Sequence, residues 1–298
     1  MIKRIISINN PANLSIRDNQ LCISQEVNFH KIPLEDIGMI VLDHREIITR
    51  ASIFDACDAH NITILHTNAS HTPAVLSIPL FGHTFANNFF ERQVSVSIPT
   101  KKQLWTMIVA EKIRGQIQNL KNDNIETEGL ETLLGMLRSG DPENIEGQVA
   151  AKYFRLLFGK NFIRERDAEG INAFLNYGYA LIRAAIARAV VAGGLYPSIG
   201  IWHHNQYNYF NLVDDLIEPF RPLVDARVKQ IFSDNAQDRE LTSFHKQELL
   251  TILTIDIEYN GRKENFTSLL EKYISSFREG LLESQKFQIP KIHQFLQK

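Results

Sequence analysis

The N-terminal part of the chain consists of short runs of isoleucine, valine and leucine that are separated by polar turn residues. Runs such as IKRIISI, MIVLD and ITILH have the length and composition of β-strands, and the asparagine-rich stretches at 9–11 and 18–19 are typical of turns. The segment 47–61 differs, because its apolar residues recur at helical spacing. The pattern predicts a β-rich region that contains one helix.

From residue 98 onward the apolar residues recur at helical spacing throughout. The first predicted helix is capped by Thr100, and its apolar face includes Leu104, Met107 and Ile108. Another has Asp141 at the N-cap and Pro142 at its first position. That helix covers 141–159, and the remaining predicted helices cover 126–138, 171–194, a segment that begins near 211, and 245–285.

Together these patterns predict an α+β protein with a β-rich N-terminal domain followed by a larger all-α C-terminal domain. We expect the N-terminal domain to cover 1–85, a linker to cover 86–99 and the helical domain to cover 100–298. The tail FQIPKIHQFLQK has an apolar rhythm that fits two roles equally well, packing on its own domain or docking a partner.

Composition excludes several classes of protein. The chain has 298 residues, 44% of them hydrophobic, which is enough for a sizeable core, and it has no apolar run long enough to cross a membrane. Cys22 and Cys57 are its only cysteines, which favours a reducing, cytoplasmic setting and excludes a cysteine-based zinc site. The net charge of −2 says little about partners.

Glu146 is the first candidate for chemistry. On the predicted 141–159 helix it shares a face with Val149, Tyr153 and Leu157, so its carboxylate points toward the apolar side. A carboxylate buried alone is costly, and it must be protonated, paired with a cationic side chain or bound to a metal. Either a structural ion pair or a metal site would account for it.

A second candidate is the acidic segment NLVDDLIEPFRPLVD. Asp215 and Glu218 are i, i+3 neighbours, Asp214 and Glu218 are i, i+4 neighbours, and like charges at these spacings repel unless a cation joins them. Pro219 and Pro222 each remove a backbone hydrogen bond of the helix. We therefore expect the helix to be kinked or loosened at its acidic residues.

Two adjacent histidines, His203 and His204, precede this segment and could reach the same place if the loop folds back. One imidazole with two or three carboxylates, and no cysteine, suits Mg²⁺ or Mn²⁺ better than structural zinc. A pair of surface histidines beside a purely structural acidic network is the simpler alternative. The chain has no phosphate-binding glycine loop, dinucleotide fingerprint or nucleophile elbow.

Three blocks of the sequence resemble a known family. NIEGQVAAKYF (144–154), INAFLNYGYALI (171–182) and HHNQYNYFNLVDDLIEPFRPLVD (203–225) are similar, in this order, to the CRISPR-associated adaptation integrases, the Cas-one family, and to the branch that accompanies Cas-nine systems. The β-rich first part and helical second part agree with that family, so the resemblance covers essentially the whole chain. The third block is the most specific.

The resemblance implies a site. In the family a glutamate of the first block, a histidine before the acidic helix and an acidic residue of that helix bind one divalent metal, which corresponds to Glu146, His203 and Glu218 here. Asp215 matches an acidic position that also lines the site. The family's histidine usually stands twelve residues before the first acid and fifteen before the second, which favours His203 and leaves His204 as a phosphate contact.

The resemblance also implies a function. It points to a DNA integrase and endonuclease that inserts captured DNA fragments into a CRISPR array, by attack of a 3′-hydroxyl on the repeat. It implies homodimers formed through the N-terminal domain, a Cas-two dimer that bridges them, and further partners among type II CRISPR proteins. A nuclease for branched DNA and a non-catalytic DNA-binding scaffold remain alternatives. The expected contacts with DNA are His204, Arg221, Arg183, Arg188 and Lys152.

Overall fold

The computed structural model describes residues 4–68, 73–79, 83–165, 169–234 and 240–297. Its strands are β1 (Arg4–Ile8), β2 (Ala12–Arg17), β3 (Gln20–Ser24), β4 (Phe29–Pro33), β5 (Ile37–Leu42), β6 (Ile47–Thr49), β7 (Thr63–Thr67), β8 (Pro73–Ser77), β9 (Asp256–Tyr259) and β10 (Arg262–Asn265). Its α-helices are α1 (Ser52–His60), α2 (Ala86–Ser95), α3 (Ile98–Asn122), α4 (Glu128–Met136), α5 (Ile145–Phe158), α6 (Ile171–Ala192), α7 (Asn211–Leu216), α8 (Arg221–Asp234), α9 (Ser243–Leu250), α10 (Phe266–Leu282) and α11 (Ile292–Phe295).

The N-terminal strands form two four-stranded sheets. One has the order β1-β5-β7-β8, in which β1, β5 and β7 are parallel and β8 is antiparallel. The other has the order β4-β3-β2-β6. Strand β5 is buried along its whole length, because its side chains alternate between two apolar cores. Ile40 and Leu42 pack within the N-terminal part, whereas Met39 and Val41 pack with the helices.

The predicted fold class is confirmed: a β-rich N-terminal part precedes a mostly helical C-terminal part. The prediction of continuous helix over 245–285 was wrong, because strands β9 and β10 pair there as a hairpin between α9 and α10. Asn260 and Gly261 form its turn with φ angles of 53° and 75°. An Asn-Gly pair between short strands is the standard signal for such a hairpin.

The segment predicted to be a linker is helical. Residues 86–99 contain α2 and the beginning of α3, which is capped by Ser97 rather than by Thr100, since the Thr100 backbone N–H donates to the Ser97 hydroxyl. Within α2 the buried Gln93 donates to the carbonyls of Tyr196 and Ile199 at 3.1 and 2.9 Å. Helix α2 therefore supports the loop that leads from α6 to the acidic segment.

The C-terminal tail packs on its own chain. Phe287 and Ile292 are buried, and the Asn122 side chain of α3 donates to the Leu296 carbonyl at 2.7 Å. The buried carboxylate of Glu111 lies 2.7 Å from the ring Nδ1 of His293. The sequence allowed the tail either to pack on its own domain or to dock a partner, and these contacts show that it packs on its own chain.

No helix in the described part of the chain is long and apolar enough to span a bilayer.

Helices α6 and α8 approach each other closely at Gly178. A methyl group on Gly178 would lie 2.4 Å from Val224 Cγ1. We expect Gly178→Ala to lower the free energy of unfolding by about 1–3 kcal/mol, because a well-packed core cannot absorb the added carbon. Urea unfolding measures this. Gly135→Ala in α4 is the control, since nothing lies within 4 Å of its added carbon; we expect it to stabilise by about 0.5–1 kcal/mol. Equal effects of the two changes would contradict the prediction.

Candidate active site

Glu146 lies in the first turn of α5, whose start is built from two side chains. The helix begins at Ile145, three residues later than predicted, and Asn144 is its N-cap with a φ of 52°. Asp141 is therefore not the N-cap, but its carboxylate accepts from the backbone N–H groups of Ile145 and Glu146 at 2.7 and 3.0 Å. A methyl group on Gly147 would lie 2.6 Å from the Asn144 side chain, so glycine leaves room there for the capping asparagine.

Glu218 lies where the acidic helix is interrupted. Helix α7 ends at Leu216, a 3₁₀ turn covers Glu218–Phe220, and α8 begins at Arg221. The predicted loosening of the helix at its acidic residues is confirmed, because a 3₁₀ turn that contains Pro219 replaces the α-helical hydrogen bonding there. Glu218 is buried, and its Oε1 accepts from Arg221 Nε at 2.7 Å.

Lys112 of α3 joins the two glutamates. Its ammonium contacts the Glu146 carboxylate and lies 2.5 Å from Glu218 Oε2. Burial lowers the pKa of Lys112, but the charges of Glu218 and Glu146 outweigh burial and hold that pKa above its ordinary value. Burial raises the pKa of Glu218, yet the charges of Arg221 and Lys112 lower it to about 2. Lys112 and Glu218 are therefore both charged at neutral pH.

The spacing of residues along α3 already indicates that Lys112 faces the core. Lys112 follows Trp105 and Ile108 at helical spacing, so it lies on the apolar face of α3. The structure buries Trp105, Ile108 and Lys112 together, whereas Met107, which we expected on this face, is exposed. A lone cation on an apolar helix face requires buried anions elsewhere in the fold.

Asp215 is fully buried and organises the loop before it. Its Oδ2 accepts from the backbone N–H groups of Ile201 and Trp202 at 2.7 and 3.1 Å. Its Oδ1 accepts from the backbone N–H of His203 at 3.1 Å and lies 2.7 Å from the ring Nδ1 of that residue. A methyl group on Gly200 would lie 2.8 Å from Asp215 Oδ2, so glycine is needed at this turn.

These contacts orient His203. The hydrogen bond to Asp215 raises the pKa of His203, burial opposes it, and the charges of Asp215, Glu218 and Asp214 raise it further. With Nδ1 donating to Asp215, the neutral ring presents its unprotonated Nε2 away from that carboxylate. Trp105 packs edge-on against the ring at 5.7 Å and stacks on Trp202 at 5.4 Å. His204 is exposed, and its Nδ1 lies 2.7 Å from the His203 carbonyl.

A buried network joins the three motif blocks beneath this site. Tyr153 and Tyr179 both donate from their hydroxyl groups to Asp225, and Asn119 of α3 donates to the Tyr153 oxygen at 2.9 Å. Burial raises the pKa of Asp225 to about 6, although the two tyrosine hydrogen bonds lower it. The network fixes α3, α5, α6 and α8 relative to one another, and so sets the positions of Glu146 and Glu218.

The residues expected to contact DNA differ in their surroundings. Arg183 pairs with Asp214 at 2.6 Å, and Arg221 pairs with Glu218 and stacks over Tyr179. Lys152 is exposed on α5. Arg188 does not fit the prediction, because it is 5% exposed, donates to the Asn61 carbonyl at 2.7 Å and pairs with Glu271 at 3.2 Å. It joins α6 to the N-terminal part and is not available to a phosphate.

The types of donor present suit a divalent cation, since they are carboxylate oxygens and an imidazole nitrogen. Glu146 and Glu218 converge on one ammonium, and Glu218 Oε2 is a buried oxygen that no donor among the described residues meets in hydrogen-bonding geometry. His203 carries the carboxylate partner that metal-binding histidines usually have on their second nitrogen. Within the described ranges no three His, Cys, Asp or Glu side chains already enclose a metal position. The oxygens of Asp215 bind the loop and the His203 ring, so Asp215 meets the site through the histidine.

The fold and this site define an α+β protein that gathers two carboxylates around a lysine ammonium between the helices of its C-terminal part, and that orients an imidazole with a further carboxylate. The model of the family described as CRISPR-associated protein Cas1 matches residues 6–264. The chain is 35% identical over 296 residues to the CRISPR-associated endonuclease Cas1 of Neisseria meningitidis serogroup C (strain 8013), covering 98% of this chain and 97% of that protein. The chain belongs to the CRISPR-associated Cas1 family, as the resemblance implied.

Solved structures share the fold. A casposase bound to integration product superposes with a TM-score of 0.81 at 16% identity, covering 99% of this chain and 94% of that one. A chain of a Cas6-RT-Cas1–Cas2 complex superposes with a TM-score of 0.77 at 15% identity, covering 97% of this chain and 36% of that longer one. At these identities the likeness concerns the fold alone.

Proposed function

We propose that this chain is a divalent-metal-dependent DNA integrase and endonuclease that inserts captured DNA fragments into a CRISPR array. The 3′-hydroxyl of the fragment would attack a phosphate of the repeat, in a direct transesterification. The observation that carries the proposal is the convergence of Glu146 and Glu218 on one cation position, beside a histidine oriented by Asp215. The names of the Neisseria relative, an endonuclease, and of the casposase bound to integration product support this class of reaction.

Glu146, Glu218 and His203, through its Nε2, would hold Mg²⁺ or Mn²⁺, which are the ions that oxygen-rich ligand sets with one imidazole favour. The ion would supply positive charge at the scissile phosphate. Asp215 would act as a positioning residue, because it fixes the ring of His203 and the turn before it. Two exposed side chains near the site, Lys152 and His204, would contact phosphates, together with Arg183 and Arg221 at its edge.

Double-stranded DNA would be the substrate, as fragment and as repeat. We further propose that the chain forms a homodimer through its N-terminal part and that a Cas2 dimer joins two such dimers, with other type II CRISPR proteins as further partners. The assembly of a relative of this fold with Cas2 supports the second point. Both cysteines are free, which fits the reducing cytoplasm as the site of action.

The test is a strand-transfer assay. A labelled short duplex is incubated with a supercoiled plasmid that carries the repeat of the same locus, with the locus's own Cas2 and Mn²⁺ or Mg²⁺. We expect joined product from the unaltered protein and none with EDTA. Glu146→Gln, His203→Ala and Glu218→Gln should each reduce transfer by at least about 100-fold, as the loss of groups that act as one unit does.

Glu143→Ala is the matched control, because Glu143 is an exposed acid just before α5 that forms only a long ion pair with Arg138, at 3.9 Å. It should transfer normally, and circular dichroism should show all four variants folded. Cleavage of branched DNA without joining would favour the nuclease alternative. Normal transfer by all three site variants would favour a scaffold in which the acidic cluster is structural.

A further inference from the structure

Lys112 lies at the centre of the candidate site, and neither the family resemblance nor our reading of the sequence gave it a role. Its side chain is 8% exposed, compared with 24% for Glu146 and 4% for Glu218. The lysine projects from α3, whereas the two glutamates come from α5 and from the turn between α7 and α8. One ammonium thus connects carboxylates from two elements that are far apart in the sequence.

The ammonium and a divalent cation require the same oxygens. Lys112 Nζ lies 2.5 Å from Glu218 Oε2, the oxygen to which no described residue donates in hydrogen-bonding geometry, and it also contacts Glu146 Oε1. Mg²⁺ binds carboxylate oxygens at about 2.0–2.1 Å in a nearly octahedral arrangement. An ammonium this close to both carboxylates fills the space between them, so the two cations exclude each other.

The remaining charges make such an exchange feasible. Arg221 holds the other oxygen of Glu218 at 2.7 Å, so that carboxylate keeps one cationic partner when Lys112 moves away. Glu146 is partly exposed, and water can reach it. Two carboxylates that face each other without a cation between them would repel, which is the arrangement that Lys112 prevents.

We propose that Lys112 is an internal counter-cation that competes with the divalent metal for Glu146 and Glu218. It keeps the two carboxylates together while no metal is between them, and it must withdraw for the metal to bind. Lys112 would thereby set the metal concentration at which the site becomes loaded. It is a positioning residue under this proposal, which rests on the proposed metal function of the two glutamates.

The test is Mn²⁺ binding to the full-length protein, followed by the electron paramagnetic resonance signal of free Mn²⁺, together with thermal melting. Lys112→Met retains the length and apolar stem of the side chain and removes its charge. We expect the Mn²⁺ dissociation constant to fall by about 10- to 100-fold, the range by which residues around a metal site alter its affinity. Without Mn²⁺ the variant should have a lower melting temperature than the unaltered protein. Adding Mn²⁺ should raise the melting temperature of the variant by more than it raises that of the unaltered protein.

Lys121→Met is the matched control, because Lys121 is an exposed lysine of the same helix that pairs with Glu131 at 2.7 Å. It should leave Mn²⁺ binding unchanged. If Lys112→Met does not fold, Lys112→Gln replaces it, because glutamine keeps a hydrogen-bond donor between the carboxylates. Its Mn²⁺ dissociation constant should also be lower than that of the unaltered protein. Equal or weaker Mn²⁺ binding by the folded lysine variant would overturn the proposal.

A further variant separates this proposal from the proposed function. In the Lys112→Met background, Glu218→Gln should abolish the tightened Mn²⁺ binding. If the unaltered protein binds Mn²⁺ and Glu218→Gln does not weaken that binding, the metal assignment fails and the competition fails with it. If Glu218→Gln weakens binding but Lys112→Met does not tighten it, only the role of Lys112 is refuted.

Discussion

Replacing Asp215 by asparagine is expected to lower strand transfer by about 10- to 100-fold, the usual effect of removing a partner that orients a metal-binding histidine. The carboxylate accepts from three backbone N–H groups and from the His203 ring. The asparagine side chain has only one acceptor oxygen, and an NH₂ group takes the place of the other oxygen. That NH₂ group would face N–H groups of the backbone or of the His203 ring, which need an acceptor. The His203 ring would lose its fixed tautomer and orientation.

A double-mutant cycle tests whether Asp215 acts through His203. In a His203→Ala background, Asp215→Asn should reduce transfer little further, because the ring that it orients is already gone. Its effect on the melting temperature should persist, since the backbone contacts remain affected. Asp256→Asn, at an exposed side chain of β9, is the control and should change neither quantity. Full additivity of the two changes in transfer would show that Asp215 acts independently of the histidine.

The largest change in stability is expected from Lys246→Met. Lys246 of α9 and Asp43, which follows β5, form an ion pair at 2.7 Å with side chains that are 3% and 1% exposed. The Thr67 hydroxyl donates to the same carboxylate at 2.6 Å. Removing the lysine takes a buried cation away from this buried carboxylate, and we expect a loss of about 3–5 kcal/mol in the free energy of unfolding.

Urea unfolding at fixed protein concentration measures this loss. Asp43→Asn in addition should recover at least about 1 kcal/mol, because a neutral amide no longer requires the buried cation. Lys263→Met is the control: its lysine is 77% exposed and lies 3.6 Å from Asp256, and it should change stability by less than about 0.5 kcal/mol. A similar loss in both single variants, or no recovery in the double variant, would contradict the prediction.

Much of the fold could be predicted because its signals are local. Strand-length apolar runs, helical spacing and the prolines near Glu218 each act within a few residues, and the structure has the expected β-rich and helical parts and the expected loosening of the acidic helix. The hairpin at Asn260-Gly261 was missed although its signal is equally local. The amphipathic spacing around it was given more weight than the turn sequence.

The sequence also contained the separate parts of the candidate site. It indicated that Glu146 faces inward, that Glu218 lies in an interrupted helix and that a histidine precedes it, since each of these follows from spacing along one element. The spacing rule of the family favoured His203, and the structure places that ring, rather than His204, against Asp215.

Only the tertiary structure decided how these parts combine. It brought Lys112 between Glu146 and Glu218, assigned Asp215 to the loop and to His203, and used Arg188 to join α6 to the N-terminal part. Periodicity along a helix shows which residues face inward, but not which residue of another helix they will meet. The partners of a buried charge depend on how distant helices pack, and that packing is decided by the whole core.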